Sequence, residues 1–109
     1  MSSIVNLTPT QLKERLDSHN PDLVLLDVRQ DWEYEICHLP GSISLPLNQI
    51  RDAIEQFEPS QAILCICHHG VRSRHAALAL QGMGFESLYN LLGGMDAWAT
   101  QVDPNMARY

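Results

Sequence analysis

Short apolar runs alternate with segments of helical spacing along the chain. The runs that have the length and composition of β-strands are 4–7, 23–28, 42–45, 62–67 and 88–91. The segments that have the periodicity or capping signals of helices are 9–17, 31–36, 48–57, 72–83 and 95–102. This alternation predicts an α/β domain with a mainly parallel sheet.

Local signals fix some of these elements more closely. Thr8, Pro9 and Gln11 have the spacing of a capping box with proline at the first helical position. The most apolar run, 62–67, predicts the central strand of the sheet. The segment 48–57 predicts one amphipathic helix whose apolar side is formed by Leu47, Ile50, Ile54 and Phe57. His19 and Pro21 predict a helix exit, and the tail 103–109 is expected to be irregular.

Size and charge limit the possible functions. With 109 residues, of which 45% are hydrophobic, residues 1–109 are expected to form a single domain. A net charge of −6 argues against general binding to nucleic acid or to an anionic membrane. The N-terminus has no signal-peptide pattern, and the longest apolar run is too short to span a bilayer. The cysteines Cys37, Cys65 and Cys67 are odd in number, which favours free thiols in a reducing compartment and hence a cytoplasmic protein.

Cys67 ends the predicted central strand, where parallel sheets bind their ligands. Asp27 ends a second strand, Pro46 a third, and the glycine pair at 93–94 follows a fourth, so these residues should converge on the same edge. The helix after Cys67 begins with arginines at 72 and 74 and a histidine at 75, which the helix dipole disfavours unless an anion is nearby. The anion could be a ligand, the Cys67 thiolate, or each in turn. A buried structural cysteine is the simpler alternative.

Four segments resemble the motifs of rhodanese-like sulfurtransferases. They are Cys-His-His-Gly-Val-Arg-Ser at 67–73, Leu-Asp-Val-Arg at 26–29 with Glu33-Tyr34, His-Leu-Pro-Gly-Ser at 38–42, and Asn-Leu-x-Gly-Gly-x-x-Ala-Trp at 90–98. The resemblance implies a three-layer domain with a five-stranded, mainly parallel sheet and helices on both faces. It also implies sulfur transfer from thiosulfate or a persulfide to a thiol, a thiol protein or cyanide, without cofactor or metal.

Residue roles follow from the same resemblance. Cys67 would carry the sulfur as a persulfide. The substrate would be bound by the loop residues His68, His69, Gly70, Val71 and Arg72, with Arg72 on the oxyanion of the donor. Ser73, Asp27 and Arg29 would support the loop, the last two by ion pairing or orientation. His68 and His69 could instead be exposed loop residues.

Two cysteines need separate interpretations. Cys37 stands where the family usually has glycine, so the turn is expected to be altered or strained, and a second redox thiol is the lesser alternative. Cys65 should lie on the same side of its strand as Cys67 and is expected to be buried core.

Three rival functions stay open. A phosphatase or arsenate reductase loop has five residues between cysteine and arginine, whereas here there are four. A non-enzymatic binding or regulatory module is the second rival. A metal site is the third, and its candidate ligands are Cys65, Cys67, His68, His69 and His75.

The remaining polar and aromatic residues have structural interpretations. Trp98 is expected to anchor the core, and Trp32 and Tyr34 to pack against their neighbours. Asp52, Glu55 and Glu58 predict a solvated helix face.

Overall fold

A computed structural model describes residues 4–18 and 22–109. Its strands are β1 (Val5–Leu7), β2 (Val24–Asp27), β3 (Ile43–Ser44), β4 (Ala62–Ile66) and β5 (Ser87–Leu91). They form one sheet in the order β1-β5-β4-β2-β3, and every neighbouring pair is parallel. The predicted parallel sheet and the central position of β4 are therefore confirmed.

The helices are α1 (Pro9–Leu16), α2 (Asp31–Ile36), α3 (Ala53–Gln56), α4 (Val71–Gly82) and α5 (Gly94–Gln101), with a 3₁₀ helix at Leu47–Asp52. The predicted capping box opens α1, because Gln11 N donates to Thr8 Oγ1 at 3.2 Å and Thr8 N donates to Gln11 Oε1 at 2.9 Å. The helix exit predicted at His19 and Pro21 lies outside the described residues.

Alternating side chains of β4 belong to two different apolar clusters. Ile63 and Cys65 belong to one cluster, together with α4. Leu64 and Ile66 belong to the other, together with α1 and α5. Successive strand residues point to opposite faces, so these clusters lie on the two sides of the sheet. The helices therefore cover both faces, as expected, and Trp98 anchors the second cluster.

The single helix predicted at 48–57 is wrong. The first part is a 3₁₀ helix, which has three residues per turn, and only the short α3 follows it. Leu47, Ile50 and Ala53 therefore turn towards the core at intervals of three, with Ile50 and Ala53 buried. Ile54, predicted on the apolar side, is 58% exposed. The acidic residues on the outer surface, Asp52, Glu55 and Glu58, are exposed as expected.

The tail 103–109 has no regular secondary structure, as predicted. It nevertheless folds back on the domain. Asp103 N donates to Trp98 O at 3.0 Å, Met106 packs against the second cluster, and Arg108 pairs with Asp96 at 2.8 Å. Of the helices in the described part of the chain, none has the length and apolar character to cross a membrane.

Candidate active site

Cys67 lies directly after the central strand and before the start of α4. Gly70 precedes α4 with φ at +98°, a left-handed conformation that glycine adopts without the steric cost of a side chain. This conformation points the Gly70 N–H at the sulfur, with an N–Sγ distance of 2.9 Å. The sulfur therefore sits at a helix N-terminus, where the dipole and a backbone donor both favour negative charge.

The Cys67 thiol is deeply buried. The residue is 1% exposed and belongs to the same apolar cluster as Cys65. Burial raises the pKa of Cys65 to about 12, and the nearby Cys67 adds to that shift, so Cys65 stays a neutral thiol in the core as expected. In this structure the Cys67 side chain is thus almost closed to solvent.

Ser73 connects the sulfur to the last strand. Its hydroxyl donates to Asn90 Oδ1, and its Oγ lies 3.3 Å from Cys67 Sγ. A hydroxyl has one hydrogen, so the thiol is the donor to Ser73 whenever Ser73 donates to Asn90. A thiolate at Cys67 would accept the Ser73 hydrogen if that hydroxyl turned away from Asn90.

Arg72 pairs with a carboxylate that sequence reasoning did not assign to the site. Its Nη1 and Nη2 lie 2.6 and 2.8 Å from Oε1 and Oε2 of Glu33 in α2. These hydrogen bonds are the largest cause that lowers the pKa of the buried Glu33 to about 2, and they raise the pKa of Arg72. Glu33 thus balances the positive start of α4. The excess of basic residues there was the signal for such a partner.

Asp27 and Arg29 form an ion pair behind the loop. Both side chains are fully buried, and Arg29 Nη2 lies 2.7 Å from Asp27 Oδ2. The same nitrogen donates to Cys37 O at 2.6 Å. Asp27 ends β2 beside β4, so the pair joins the sheet edge to the turn after α2.

Backbone N–H groups at the start of α5 donate to carbonyl oxygens of the Cys67 loop. Met95 N donates to Cys67 O at 2.8 Å and Asp96 N donates to His68 O at 3.1 Å. A side chain at Gly94 would collide with both of these carbonyl oxygens. The glycine pair at 93–94 therefore permits a close approach of backbone to backbone.

The rhodanese-like domain model matches residues 8–101, which include all of these groups. The chain belongs to the rhodanese-like family. It is 33% identical to the thiosulfate sulfurtransferase GlpE of Pseudoalteromonas translucida, over 94% of the chain and 96% of that protein. It is also 33% identical to the putative sulfur carrier protein YrkF of Bacillus subtilis, over 94% of the chain but only 55% of YrkF. The chain thus spans about half of YrkF, and it covers 26% of the probable adenylyltransferase/sulfurtransferase MoeZ of Mycobacterium tuberculosis.

Solved structures agree with this family. A rhodanese-like domain protein of Staphylococcus aureus has a TM-score of 0.80 at 29% identity, and the match covers 87% of this chain and 91% of that one. A protein of Rhodopseudomonas palustris described as a possible tyrosine phosphatase has a TM-score of 0.79 at 27% identity, over 89% and 80% of the two chains. The three-layer rhodanese-like fold is therefore confirmed.

The departure from the rhodanese-like pattern at Cys37 causes no strain. Cys37 has φ at −161°, which is extended backbone, and the positive φ of this turn falls on Gly41. The expected strained turn is therefore wrong. Tyr34 packs the turn as predicted, stacking on His38 with ring centroids 4.0 Å apart and donating to Ser42 O at 2.8 Å.

The remaining basic residues of the loop and of the first turns of α4 separate into two groups. His68 packs against Tyr109 with ring centroids 4.3 Å apart. The pKa of His68 is lowered, chiefly by burial and secondly by the charge of the nearby His69. His69, Arg74 and His75 line a surface groove, and Cys67 is not among its described lining residues. In the described ranges 4–18 and 22–109, no group of three or more His, Cys, Asp or Glu could hold a metal ion.

Tyr109, like Glu33, is a contact of the site that the sequence did not predict. It lies in the tail predicted to be irregular and outside the matched range 8–101. Its hydroxyl donates to Glu33 Oε2 at 2.7 Å and accepts from Arg29 Nη1 at 3.0 Å. Trp32, predicted to be a packing residue, is 54% exposed and makes an edge contact with the Tyr109 ring.

Proposed function

We propose that this rhodanese-like chain is a sulfurtransferase that carries a sulfane sulfur as a persulfide on Cys67. The observation that carries the proposal is the position of Cys67 Sγ, 2.9 Å from the Gly70 amide at the start of α4. A helix N-terminus with a backbone donor stabilises negative sulfur, which is the form of both the attacking thiolate and the persulfide.

In the first step, the Cys67 thiolate attacks the outer sulfur of thiosulfate. A new S–S bond forms at Cys67, the bond between the two donor sulfurs breaks, and sulfite leaves with the electron pair. Arg72 is the residue proposed to bind the donor oxyanion. Its pair with Glu33 uses one hydrogen on each Nη, so the other N–H groups of the guanidinium can serve the ligand.

In the second step, a thiolate or cyanide attacks the outer sulfur of the persulfide. The S–S bond to Cys67 breaks and the Cys67 thiolate is regenerated as the leaving group. This is double displacement through a covalent intermediate, so steady-state kinetics should be ping-pong. The loop amides from His68 to Arg72 are proposed to cradle the persulfide, and Ser73, Asp27 and Arg29 to support the loop.

A specific observation favours a second candidate, the non-enzymatic module. Cys67 is 1% exposed, so a loop that stayed rigid would keep donors from the sulfur. The sulfurtransferase proposal requires the loop at 67–72 to admit the donor. The two candidates therefore differ in one measurable property, which is the reactivity of Cys67 towards sulfur donors.

Intact mass after incubation with thiosulfate tests the proposal. The wild type is expected to gain about 32 Da, one sulfur atom on the nucleophile, and to lose it on addition of cyanide with release of thiocyanate. The Cys67→Ser variant should gain nothing. Cys37→Ser is the matched control, because it removes a more accessible thiol and should still take up sulfur.

A folded wild type that gains no sulfur from thiosulfate or from a small persulfide would leave the binding module as the better function. Transfer of sulfur to Cys37 instead of Cys67 would also overturn the mechanism. Circular dichroism of each variant checks that a lost reaction does not reflect a lost fold.

A further inference from the structure

The Tyr109 hydroxyl lies between two ion pairs. On one side it accepts a hydrogen bond from Arg29, whose guanidinium is paired with Asp27. On the other side it donates to Glu33, whose carboxylate is paired with Arg72. A phenol can donate and accept at the same time, so one group connects both pairs.

The carboxylate of Glu33 is held at both oxygens. Oε1 accepts from Gln30 N at 3.0 Å and from Arg72 Nη1 at 2.6 Å. Oε2 accepts from Arg72 Nη2 at 2.8 Å and from the Tyr109 hydroxyl at 2.7 Å. Without Tyr109, the described contacts of Oε2 are reduced to Arg72 alone. The carboxylate could then rotate, and the Arg72 guanidinium would rotate with it.

The tail is attached by more than this hydroxyl. The Tyr109 ring packs on His68 and meets the edge of Trp32, at centroid distances of 4.3 and 5.5 Å. Arg108 pairs with Asp96 on α5, not with Glu33. The Arg108–Asp96 ion pair anchors the tail to α5. Of the two tail residues, only Tyr109 contacts Glu33, the carboxylate that orients Arg72.

We propose that Tyr109 is a positioning residue for sulfur transfer, which fixes Glu33 and thereby the Arg72 guanidinium that binds an anionic sulfur donor. The inference rests on the proposed function. It adds a residue outside the range 8–101 that the family model matches. Because the effect passes through Arg72, it should be specific to anionic donors.

The test compares Tyr109→Phe with the wild type, with Arg108→Ala as a control that removes the ion pair of the tail to Asp96 and keeps the Tyr109 hydroxyl as a donor to Glu33. For Tyr109→Phe we expect KM for thiosulfate to rise about five-fold, the effect of losing about 1 kcal/mol of donor binding. The kcat and the rate of Cys67 alkylation by neutral iodoacetamide should stay within about two-fold of the wild type. Arg108→Ala should keep the wild-type KM.

A carboxyl titration by NMR supplies a readout that does not need activity. The pKa of Glu33 is about 2, and the Tyr109 hydrogen bond is one of the contacts that lower it. Tyr109→Phe should therefore raise the pKa of Glu33, whereas Arg108→Ala should leave it unchanged. An unchanged pKa in Tyr109→Phe would overturn the inference.

The activity results separate two failures. A wild type that takes no sulfur from thiosulfate overturns the proposed function and the role of Tyr109 with it. An active wild type with the same KM as Tyr109→Phe overturns the role of Tyr109 alone. A parallel loss of kcat and of iodoacetamide reactivity would show a merely structural role and would also overturn it.

Discussion

The hydroxyls of Ser73 and Ser44 are both buried, but they differ in whether they have a hydrogen-bond partner. The Ser73 hydroxyl donates to Asn90 Oδ1 and lies against Cys67 Sγ. Ser44 Oγ is buried without a hydrogen-bond partner among the described residues. Ser73→Ala leaves a buried amide oxygen unpaired, so we expect it to lower the free energy of unfolding by about 1–3 kcal/mol. Urea denaturation at neutral pH measures this change.

Ser44→Ala is the matched control for that experiment. It removes a hydroxyl that is buried without compensation, so the free energy of unfolding should stay within about 0.5 kcal/mol or rise. Equal losses in the two variants would contradict the hydrogen-bond pattern around Cys67.

Glu33 should make the free energy of unfolding depend on pH in the acidic range. Its pKa falls from an ordinary value of 4.5 to about 2 in the folded state, chiefly through the Arg72 hydrogen bonds. A depressed carboxyl pKa contributes stability above the unfolded-state pKa, and this contribution is lost as the pH falls towards the folded-state pKa. We therefore expect the free energy of unfolding to fall between pH 4.5 and pH 2 more steeply in the wild type than in Glu33→Gln.

Chemical denaturation across this pH range checks the expectation. Glu55→Gln is the control, because Glu55 is exposed on α3 and has no ion pair among the described residues. Its stability curve should run parallel to that of the wild type. A Glu33→Gln curve that also ran parallel would mean that the Arg72 pair does not hold the carboxylate.

At the scale of elements, the contact between α5 and the Cys67 loop depends on Gly94. Its φ is +61°, and an added Cβ would meet the carbonyl oxygens of Cys67 and His68. Gly94→Ala should lower the free energy of unfolding by at least about 2 kcal/mol, because it combines backbone strain with a collision. It should also reduce the fraction of protein that takes up sulfur, since the loop carbonyls must move. Urea denaturation and intact mass measure the two effects.

Gly82 supplies the matched glycine. It is the last residue of α4 and has no positive φ, and apart from its chain neighbours and the backbone of its own helix no atom lies within 4 Å of an added Cβ. Gly82→Ala should stabilise the protein by about 0.5–1 kcal/mol through helix propensity, and its sulfur uptake should match that of the wild type. Similar behaviour of the two variants would argue against a special approach of α5 to the loop.

Elements with local signals were predictable from the sequence. The capping box at Thr8 and the apolar run of β4 correspond to the observed elements because their determinants lie within a few residues. The segment 48–57 failed because a 3.6-residue period was assumed where the chain forms a 3₁₀ turn. Over so short a segment, both periods place Ile50 on the inner side, and the two periods differ at Ala53, which is buried, and at Ile54, which is exposed.

The site was predictable only where residues are close in sequence. The Cys67 loop and its helix start were anticipated from one continuous segment. The partner of Arg72 is Glu33, which lies 39 residues earlier in the chain, and the tyrosine that contacts Glu33 lies 76 residues after Glu33. These contacts depend on how the sheet brings α2, α4 and the tail together, and nothing in the local pattern around Tyr109 indicates them.

At the scale of the whole molecule, the net charge of −6 opposes the proposed donor, which is an anion. The radius of gyration is 12.8 Å, well below the screening length of about 30 Å at 0.01 M salt, so the whole charge acts on an approaching dianion. At 0.15 M salt the screening length is about 8 Å, so only charges within about that distance of the bound donor, such as Arg72, act on it. We therefore expect kcat/KM for thiosulfate to rise several-fold as sodium chloride increases from 0.01 to 0.15 M.

Alkylation of Cys67 by neutral iodoacetamide is the control in the same salt series, and its rate should change by less than about two-fold because no charge approaches the protein. A steady fall of kcat/KM with salt would contradict the expectation and would mean that the field near Arg72 outweighs the acidic surface. The structure favours the first result, because Glu33 already neutralises Arg72 at a distance of 2.6 Å. The local attraction for an anion is thereby weakened, while the repulsion from the rest of the molecule is not.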